Sequence, residues 1–100
     1  MSDKFWAKVK SQLNEAKTAK NADDVIRIFA PENNPYGHTE VGGDGFFAGS
    51  GGDNTLWEAL DEAGWTFLWE KAAYWWAMKA PDGSVITYAE GDLYRGDRPN

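Results

Sequence analysis

Apolar residues recur at helical spacing near the start of the chain and at strand spacing near its end. An apolar stripe with spacings of four, four and three residues is formed by Phe5, Val9, Leu13 and Ala16. That spacing predicts a first helix, and Trp6 widens its apolar face. From Trp65 onwards the period changes to two, which is typical of β-strands. The two periods together predict an α+β fold.

A second, short helix is predicted after Asn21, which is a favourable N-cap residue. Two acidic residues occupy the predicted first turn, where they complement the helix dipole. The alternative is a strand, because Val25, Ile26 and Ile28 are β-branched. Pro31 ends the element in either case, since the residue before a proline avoids helical geometry.

Residues 31–54 contain seven glycines and two prolines, and they predict a long irregular loop. Loops longer than about 12–15 residues are uncommon in compact domains and are usually functional or disordered. Phe46 and Phe47 lie within this segment. We expect these two rings to hold part of the loop against the core.

A third helix is predicted over residues 55–63. Thr55 and Glu58 match a capping box, and Asp53 is the alternative cap one turn earlier. Gly64 follows as the expected left-handed C-terminal residue.

The remaining pattern predicts a three-stranded antiparallel meander over residues 65–95. In the first two strands, which contain Phe67 and Trp76, side chains alternate between the two faces of the sheet. The sequence Pro81-Asp82-Gly83 predicts the turn before the third strand. Leu93 and Tyr94 are expected to prolong that last strand. We therefore predict a single domain over residues 1–100, comprising a helical pair (1–30), the glycine-rich loop (31–54), a helix (55–63) and the meander (65–95).

The chain contains no cysteine, which excludes disulfides, thiolate zinc sites and cysteine nucleophiles. The N-terminal residues are charged and amphipathic, without the apolar core of a signal peptide. No run approaches the ~20 apolar residues of a transmembrane helix. These features predict a cytoplasmic protein without a membrane partner.

The formal net charge of −6 is unevenly distributed. Residues 1–20 hold five lysines and two acids, whereas residues 21–100 hold five basic residues and fourteen acids. An acidic body repels phosphate, which disfavours nucleic acid as a partner. The basic first helix is expected to meet an acidic partner or to pair with the acidic body of its own fold.

Motifs for phosphate, dinucleotide and calcium binding are each incomplete. Gly52 is followed by Asp53 rather than by the lysine of a P-loop. Gly43 and Gly45 lack the third glycine of a dinucleotide fingerprint. His38 is the only histidine in the sequence. Adjacent acids such as Asp61 and Glu62 are typical of a solvated face. We predict no catalytic, cofactor-binding or metal-binding residue, no cofactor and no enzymatic activity.

Tryptophan is the strongest departure from average composition, because five of the six tryptophans lie between residues 57 and 76. Trp75 and Trp76 are expected on opposite faces of one strand. Either the face carrying Trp75 or the face carrying Trp76 packs on the helices. The other face is either an exposed interface or is covered by the long loop. The predicted partner-binding residues are Tyr36, His38, Phe46, Phe47 and Trp75.

The segments ADDVIRI, NPYG, DGFFAGSGGD, WEALDEAGW and YWWAMKAPDGSVITYAEGDLYRGD carry a resemblance to a known group. Over residues 5–97 the chain resembles a family of small, uncharacterised proteins encoded by actinobacterial viruses, mycobacteriophages in particular. The resemblance implies a viral accessory protein in the host cytoplasm. It supplies no site residues.

The sequence favours a non-enzymatic protein that binds a host protein or associates with itself. The alternative is an acidic mimic of nucleic acid that inhibits a DNA- or RNA-binding host protein. A small enzyme is the third hypothesis, and it requires a deep pocket that contains His38 and an acid.

Overall fold

A computed structural model of the chain describes residues 3–49 and 55–98, so the alternative cap Asp53 lies outside the described residues. Helices pack on one face of an antiparallel sheet, which confirms the α+β class. The elements are α1 (Asp3–Ala16), α2 (Ala22–Ile28), a 3₁₀ turn (Pro31–Asn33), β1 (Gly45–Phe46), α3 (Thr55–Glu62), β2 (Thr66–Ala72), β3 (Trp75–Lys79), β4 (Val85–Ala89) and β5 (Asp92–Arg95).

Helix α1 buries a face that is rotated slightly from the predicted apolar stripe. Phe5, Val9 and Ala16 are buried, but Leu13 is only half-buried. Gln12 is buried in its place. Its Nε2 donates to the carbonyl oxygens of Ile28 at 3.1 Å and Asn33 at 3.2 Å. This polar side chain joins α1 to the end of α2 and to the following 3₁₀ turn.

Helix α2 confirms the helical interpretation over the strand alternative. The Asn21 side chain accepts a hydrogen bond from the backbone N–H of Asp24 at 2.8 Å, as an N-cap does. The apolar face of this helix is buried in the core and consists of Val25, Ile26 and Ile28. Packing of this face supports a helix that is too short to be stable alone.

The end of α3 is a Schellman motif. Trp65 N–H donates to the Leu60 carbonyl, and Gly64 N–H donates to the Asp61 carbonyl, both at 3.0 Å. Gly64 has φ +95°, the left-handed conformation that the sequence predicts. The motif turns the chain so that Trp65 is buried and its indole Nε1 donates to the Ala19 carbonyl at 2.8 Å.

The predicted three-stranded meander is wrong in detail, because the sheet has five strands in the order β1-β5-β4-β3-β2. Leu93 and Tyr94 do not prolong β4. Glu90 and Gly91 both have positive φ, 49° and 99°, and they form a tight turn that returns the chain as β5. Two loop residues, Gly45 and Phe46, then pair with β5 as β1.

The face of the sheet that carries Trp76 packs on the helices. Trp76 stacks on Tyr88 with ring centroids 4.9 Å apart, and Met78, Ile86 and Leu93 complete the buried residues of this face. Phe47 reaches the same core from the loop. The long loop is therefore attached to the core through both phenylalanines, because Phe47 is buried and the partly buried Phe46 packs against the core.

The outer face of the sheet is partly covered by the C-terminal segment, and the long loop reaches only its β5 edge, where Gly42 N–H donates to Asp92 Oδ1 at 3.1 Å. Thr87 lies on this face and is only 1% exposed. Its hydroxyl donates to the Gly96 carbonyl at 2.7 Å and accepts from Arg98 N–H at 2.9 Å. Trp69 Nε1 donates to Asp97 Oδ1 at 2.7 Å. This cover leaves Trp75 half-buried at its margin.

Candidate functional site

An exposed cluster of aromatic rings forms where α1 meets the long loop. We call it the aromatic patch, and it consists of Phe5, Trp6, Tyr36, His38 and Phe46. Phe5 is 7% exposed and forms its floor, whereas Trp6 is 54% and Tyr36 is 49% exposed. His38 is exposed and Phe46 is half-buried. In the patch, large aromatic side chains from two separate segments reach solvent together.

The rings of the aromatic patch contact one another through Phe5 and Tyr36. Phe5 packs edge-on to Trp6 at 5.0 Å between ring centroids and lies 4.9 Å from Tyr36. Tyr36 stacks on His38 at 5.9 Å with an interplanar angle of 5°, and it lies 6.4 Å from Phe46. The edge-on Phe5–Trp6 pair and the stacked Tyr36–His38 pair have geometries that aromatic rings prefer, and the other two pairs are tilted.

A turn at Asn34 fixes the position of Tyr36. The side-chain Oδ1 of Asn34 accepts a hydrogen bond from Tyr36 N–H at 3.0 Å. The backbone carbonyl of Asn34 accepts from Gly37 N–H at 2.9 Å. Gly37 has φ +84°, which favours glycine at this position. The preceding 3₁₀ turn is held to α1 by Gln12. These contacts hold the backbone of Tyr36 in place within the chain.

Three of the five predicted partner-binding residues, Tyr36, His38 and Phe46, come together in the aromatic patch. Phe47 does not, because it is 1% exposed and packs against Phe29 at 5.6 Å between ring centroids. A surface role for Phe47 is therefore not compatible with its position in the core. The apolar pattern does not identify Trp6 as a surface residue, although Trp6 lies at the edge of the α1 apolar stripe.

Trp75 lies apart from the aromatic patch, on the outer face of the sheet. Its ring packs edge-on to Trp69 at 5.8 Å between centroids. The ammonium nitrogen of Lys71 lies 4.2 Å from the Trp75 ring centroid, within the range of a cation–π contact. The predicted residues therefore divide between two surfaces and the core.

The end of the basic N-terminal segment, just after α1, pairs in part with the acidic body of its own fold. Lys17 Nζ lies 3.6 Å from a carboxylate oxygen of Glu62 in α3. Lys20 Nζ donates to the Ala63 carbonyl at 3.0 Å, beside the C-terminal end of α3. Both contacts are partly solvated, so they orient α1 and α3 more than they stabilise the fold.

The carboxylates are spread over several elements. Asp23 at the start of α2 binds Arg95 at 2.9 Å, and Asp24 binds Arg27 at 3.2 Å. Hydrogen bonds from the Ser84 hydroxyl and backbone N–H lower the pKa of Asp82 in the β3–β4 turn. Within residues 3–49 and 55–98, no group of three or more histidine or acidic side chains is arranged to hold a metal ion.

Four shallow clefts of about 250–550 Å³ lie on the surface of the described residues, and His38 lines none of these four. In the same part of the chain, no helix is both long and apolar enough to cross a membrane.

No protein family, curated protein sequence or solved structure matches the chain.

Proposed function

We propose that this chain is a non-enzymatic protein-binding module whose contact surface is the aromatic patch. The observation that carries the proposal is the joint exposure of Trp6 and Tyr36, each about half exposed, over the buried ring of Phe5. Exposed aromatic side chains grouped in this way usually mark an interaction site. Tryptophan and tyrosine are also enriched among the residues that dominate binding energy.

The order of the aromatic patch favours binding. Tyr36 is held by the Asn34 turn, and Trp6 lies on a helix that is packed into the core through Phe5 and Val9. Binding through side chains that are already positioned costs less conformational entropy than binding through a mobile loop. When a partner covers Trp6 and Tyr36, little of the free energy gained by burying the two rings is therefore lost to ordering them.

The resemblance to actinobacterial virus proteins directs the search for the partner. Under this proposal the chain acts in the cytoplasm of an infected bacterium and binds a host protein. Self-association through the same surface is the second form of the proposal. Both forms require that the rings of the aromatic patch become buried in a complex.

Nucleic-acid mimicry receives less support. A mimic presents unpaired carboxylates in a regular array, whereas here Asp23, Asp24 and Asp82 line one cleft together with Arg95. Asp23, Asp24 and Glu62 are also paired with basic side chains of the same chain. We therefore base the proposal on the aromatic rings.

Two single substitutions test the proposal. Trp6→Ser and Tyr36→Ser each remove an exposed ring, and Leu68→Ser is the matched control because Leu68 is 44% exposed outside the patch. Sedimentation equilibrium measures self-association, and quantitative capture from an actinobacterial host lysate measures partner binding. We expect complex formation to fall about tenfold or more for both patch variants.

The control Leu68→Ser should behave as the unsubstituted chain does in both measurements. Circular dichroism establishes that each variant is folded. Complexes that form equally well with Trp6→Ser, Tyr36→Ser and Leu68→Ser would refute the aromatic patch as the contact surface. A monomer that captures no protein would refute the binding function itself.

A further inference from the structure

A second concave surface, separate from the aromatic patch, lies beside Trp75 on the outer face of the sheet. We call it the outer pocket. It has a volume of about 290 Å³ and is lined by Tyr74, Trp75, Ala89, Glu90, Asp92 and Tyr94. Three aromatic residues and two acidic residues therefore line one shallow space. It shares no residue with the aromatic patch.

Strand register builds the outer pocket. Trp75, Ala89 and Asp92 are aligned across β3, β4 and β5, so their side chains point to the same face. Ala89 is small and leaves a gap between the larger side chains on either side of it. Glu90 N–H donates to the Tyr74 carbonyl at 2.8 Å, which ties together the two turns at the pocket rim.

The aromatic walls already interact with cations of the same chain. Lys71 Nζ lies 4.2 Å from the Trp75 ring centroid, and Arg98 Cζ lies 4.9 Å from that of Tyr94. Lys71 comes from β2, on the other side of β3 from Ala89. Each of these rings therefore already contacts a cation of its own chain, and a ligand in the outer pocket has to bind beside Lys71 and Arg98.

Glu90 occupies an unfavourable backbone conformation at the rim of this pocket. Its φ of 49° is the only positive value among the non-glycine residues that the structure describes. The first position of this turn type normally holds Asn, Asp or Gly, because other side chains are strained there. Strain of this kind commonly accompanies a functional role. Here it places a carboxylate beside the three rings.

We propose that the outer pocket binds a compact alkylammonium ion, the group present in choline and in methylated lysine. Aromatic rings supply cation–π attraction, and Glu90 and Asp92 supply charge complementarity. Asp92 Oδ1 already accepts from Gly42 N–H at 3.1 Å. That commitment disfavours the two parallel hydrogen bonds that a guanidinium prefers, whereas an alkylammonium requires none.

The test is an NMR titration of the full chain with choline, with trimethyllysine and with 3,3-dimethylbutan-1-ol. The alcohol has the shape of choline without its charge, and sodium chloride serves as the ionic-strength reference. We expect millimolar binding of the cations, with shifts confined to Trp75 and the β4–β5 turn. The neutral alcohol should bind at least about fivefold more weakly. Choline and trimethyllysine together show which source of the ammonium group fits better.

Substitutions separate charge from aromatic contact. Glu90→Asn removes the carboxylate and suits the turn, so it keeps the fold and should weaken binding about two- to fivefold. Trp75→Leu keeps an apolar side chain and should weaken it about tenfold or more. Glu32→Gln, a change of the same charge outside the pocket, should have no effect.

Three results would overturn the proposal: equal binding of choline and its neutral analogue, unchanged affinity in Trp75→Leu, or no specific shift up to about 100 mM ligand. None of them bears on the aromatic patch, because the two surfaces share no residue. The two proposals therefore succeed or fail independently.

Discussion

At the scale of single residues, Gln12 organises more of the structure than its position in the sequence suggests. It lies one place from Leu13 on α1, yet Gln12 is 2% exposed and Leu13 is half-buried. A pattern of apolar residues cannot identify such a side chain, because its burial depends on carbonyl groups that lie far along the chain. Those carbonyls belong to Ile28 and Asn33, just before the turn that positions Tyr36.

We predict that Gln12→Leu destabilises the fold despite its greater apolarity. The change leaves the carbonyls of Ile28 and Asn33 without their side-chain donor, at a cost of about 1–3 kcal/mol. Urea denaturation followed by circular dichroism measures the effect. Ser11→Ala, on the exposed side of α1, is the control and should change stability by less than about 0.5 kcal/mol. Equal stability of Gln12→Leu and the unsubstituted chain would contradict this role.

A second residue-scale prediction concerns Glu90. Since Glu90 has φ 49°, replacing it with asparagine should stabilise the fold by about 0.5–1 kcal/mol. Glu90→Gln removes the same charge but lacks the preference for the left-handed conformation, so it should not show this gain. Thermal unfolding of both variants at equal concentration compares them. A gain of the same size in both variants would assign the effect to charge instead of backbone strain.

At the scale of elements, the sequence predicts those helix ends and turns that depend on contacts between neighbouring residues. The end of α3 is predictable because Gly64 forms its turn with the helix immediately before it. In contrast, β1 is a strand only because Gly45 and Phe46 meet β5, nearly fifty residues later. The separate strand β5 was missed because Glu90 stands where a turn of this type usually has asparagine or glycine.

The candidate sites were predictable only in part, for the same reason. The long loop and its tyrosine and histidine were recognisable as unusual in composition and length. The contact of Tyr36 with Phe5 was not, because it depends on how the loop folds back over α1. The outer pocket was also not predictable, since it requires the register of three strands.

The N-cap of α2 provides an element-scale prediction. Asn21→Ala removes the acceptor for Asp24 N–H and should destabilise the fold by about 1 kcal/mol. Asn14→Ala is the matched control, because Asn14 is exposed within α1 and alanine favours helix there. Chemical denaturation should show a loss for the first variant and none for the second. A loss of equal size in both would argue against the cap.

At the scale of the whole molecule, the sheet separates two surfaces of different chemistry. Helices cover its inner face, and the aromatic patch lies where α1 meets the loop. The C-terminal segment covers the middle of the outer face through Thr87 and Trp69, which leaves the outer pocket open beside Trp75. The net charge of −6 favours a cation at the outer pocket and has less influence on the uncharged rings of the patch.

The most direct test of the aromatic patch as a binding surface is site-specific photo-crosslinking in actinobacterial cells that produce the chain, the hosts that the proposal implies. The probe p-benzoylphenylalanine is placed at Tyr36 in one version of the chain and at Leu68 in the other, because both side chains are roughly half exposed. We predict a discrete cross-linked product from position 36, to a host protein or to a second copy, and none from position 68. No product from position 36, or the same product from both positions, would contradict the account.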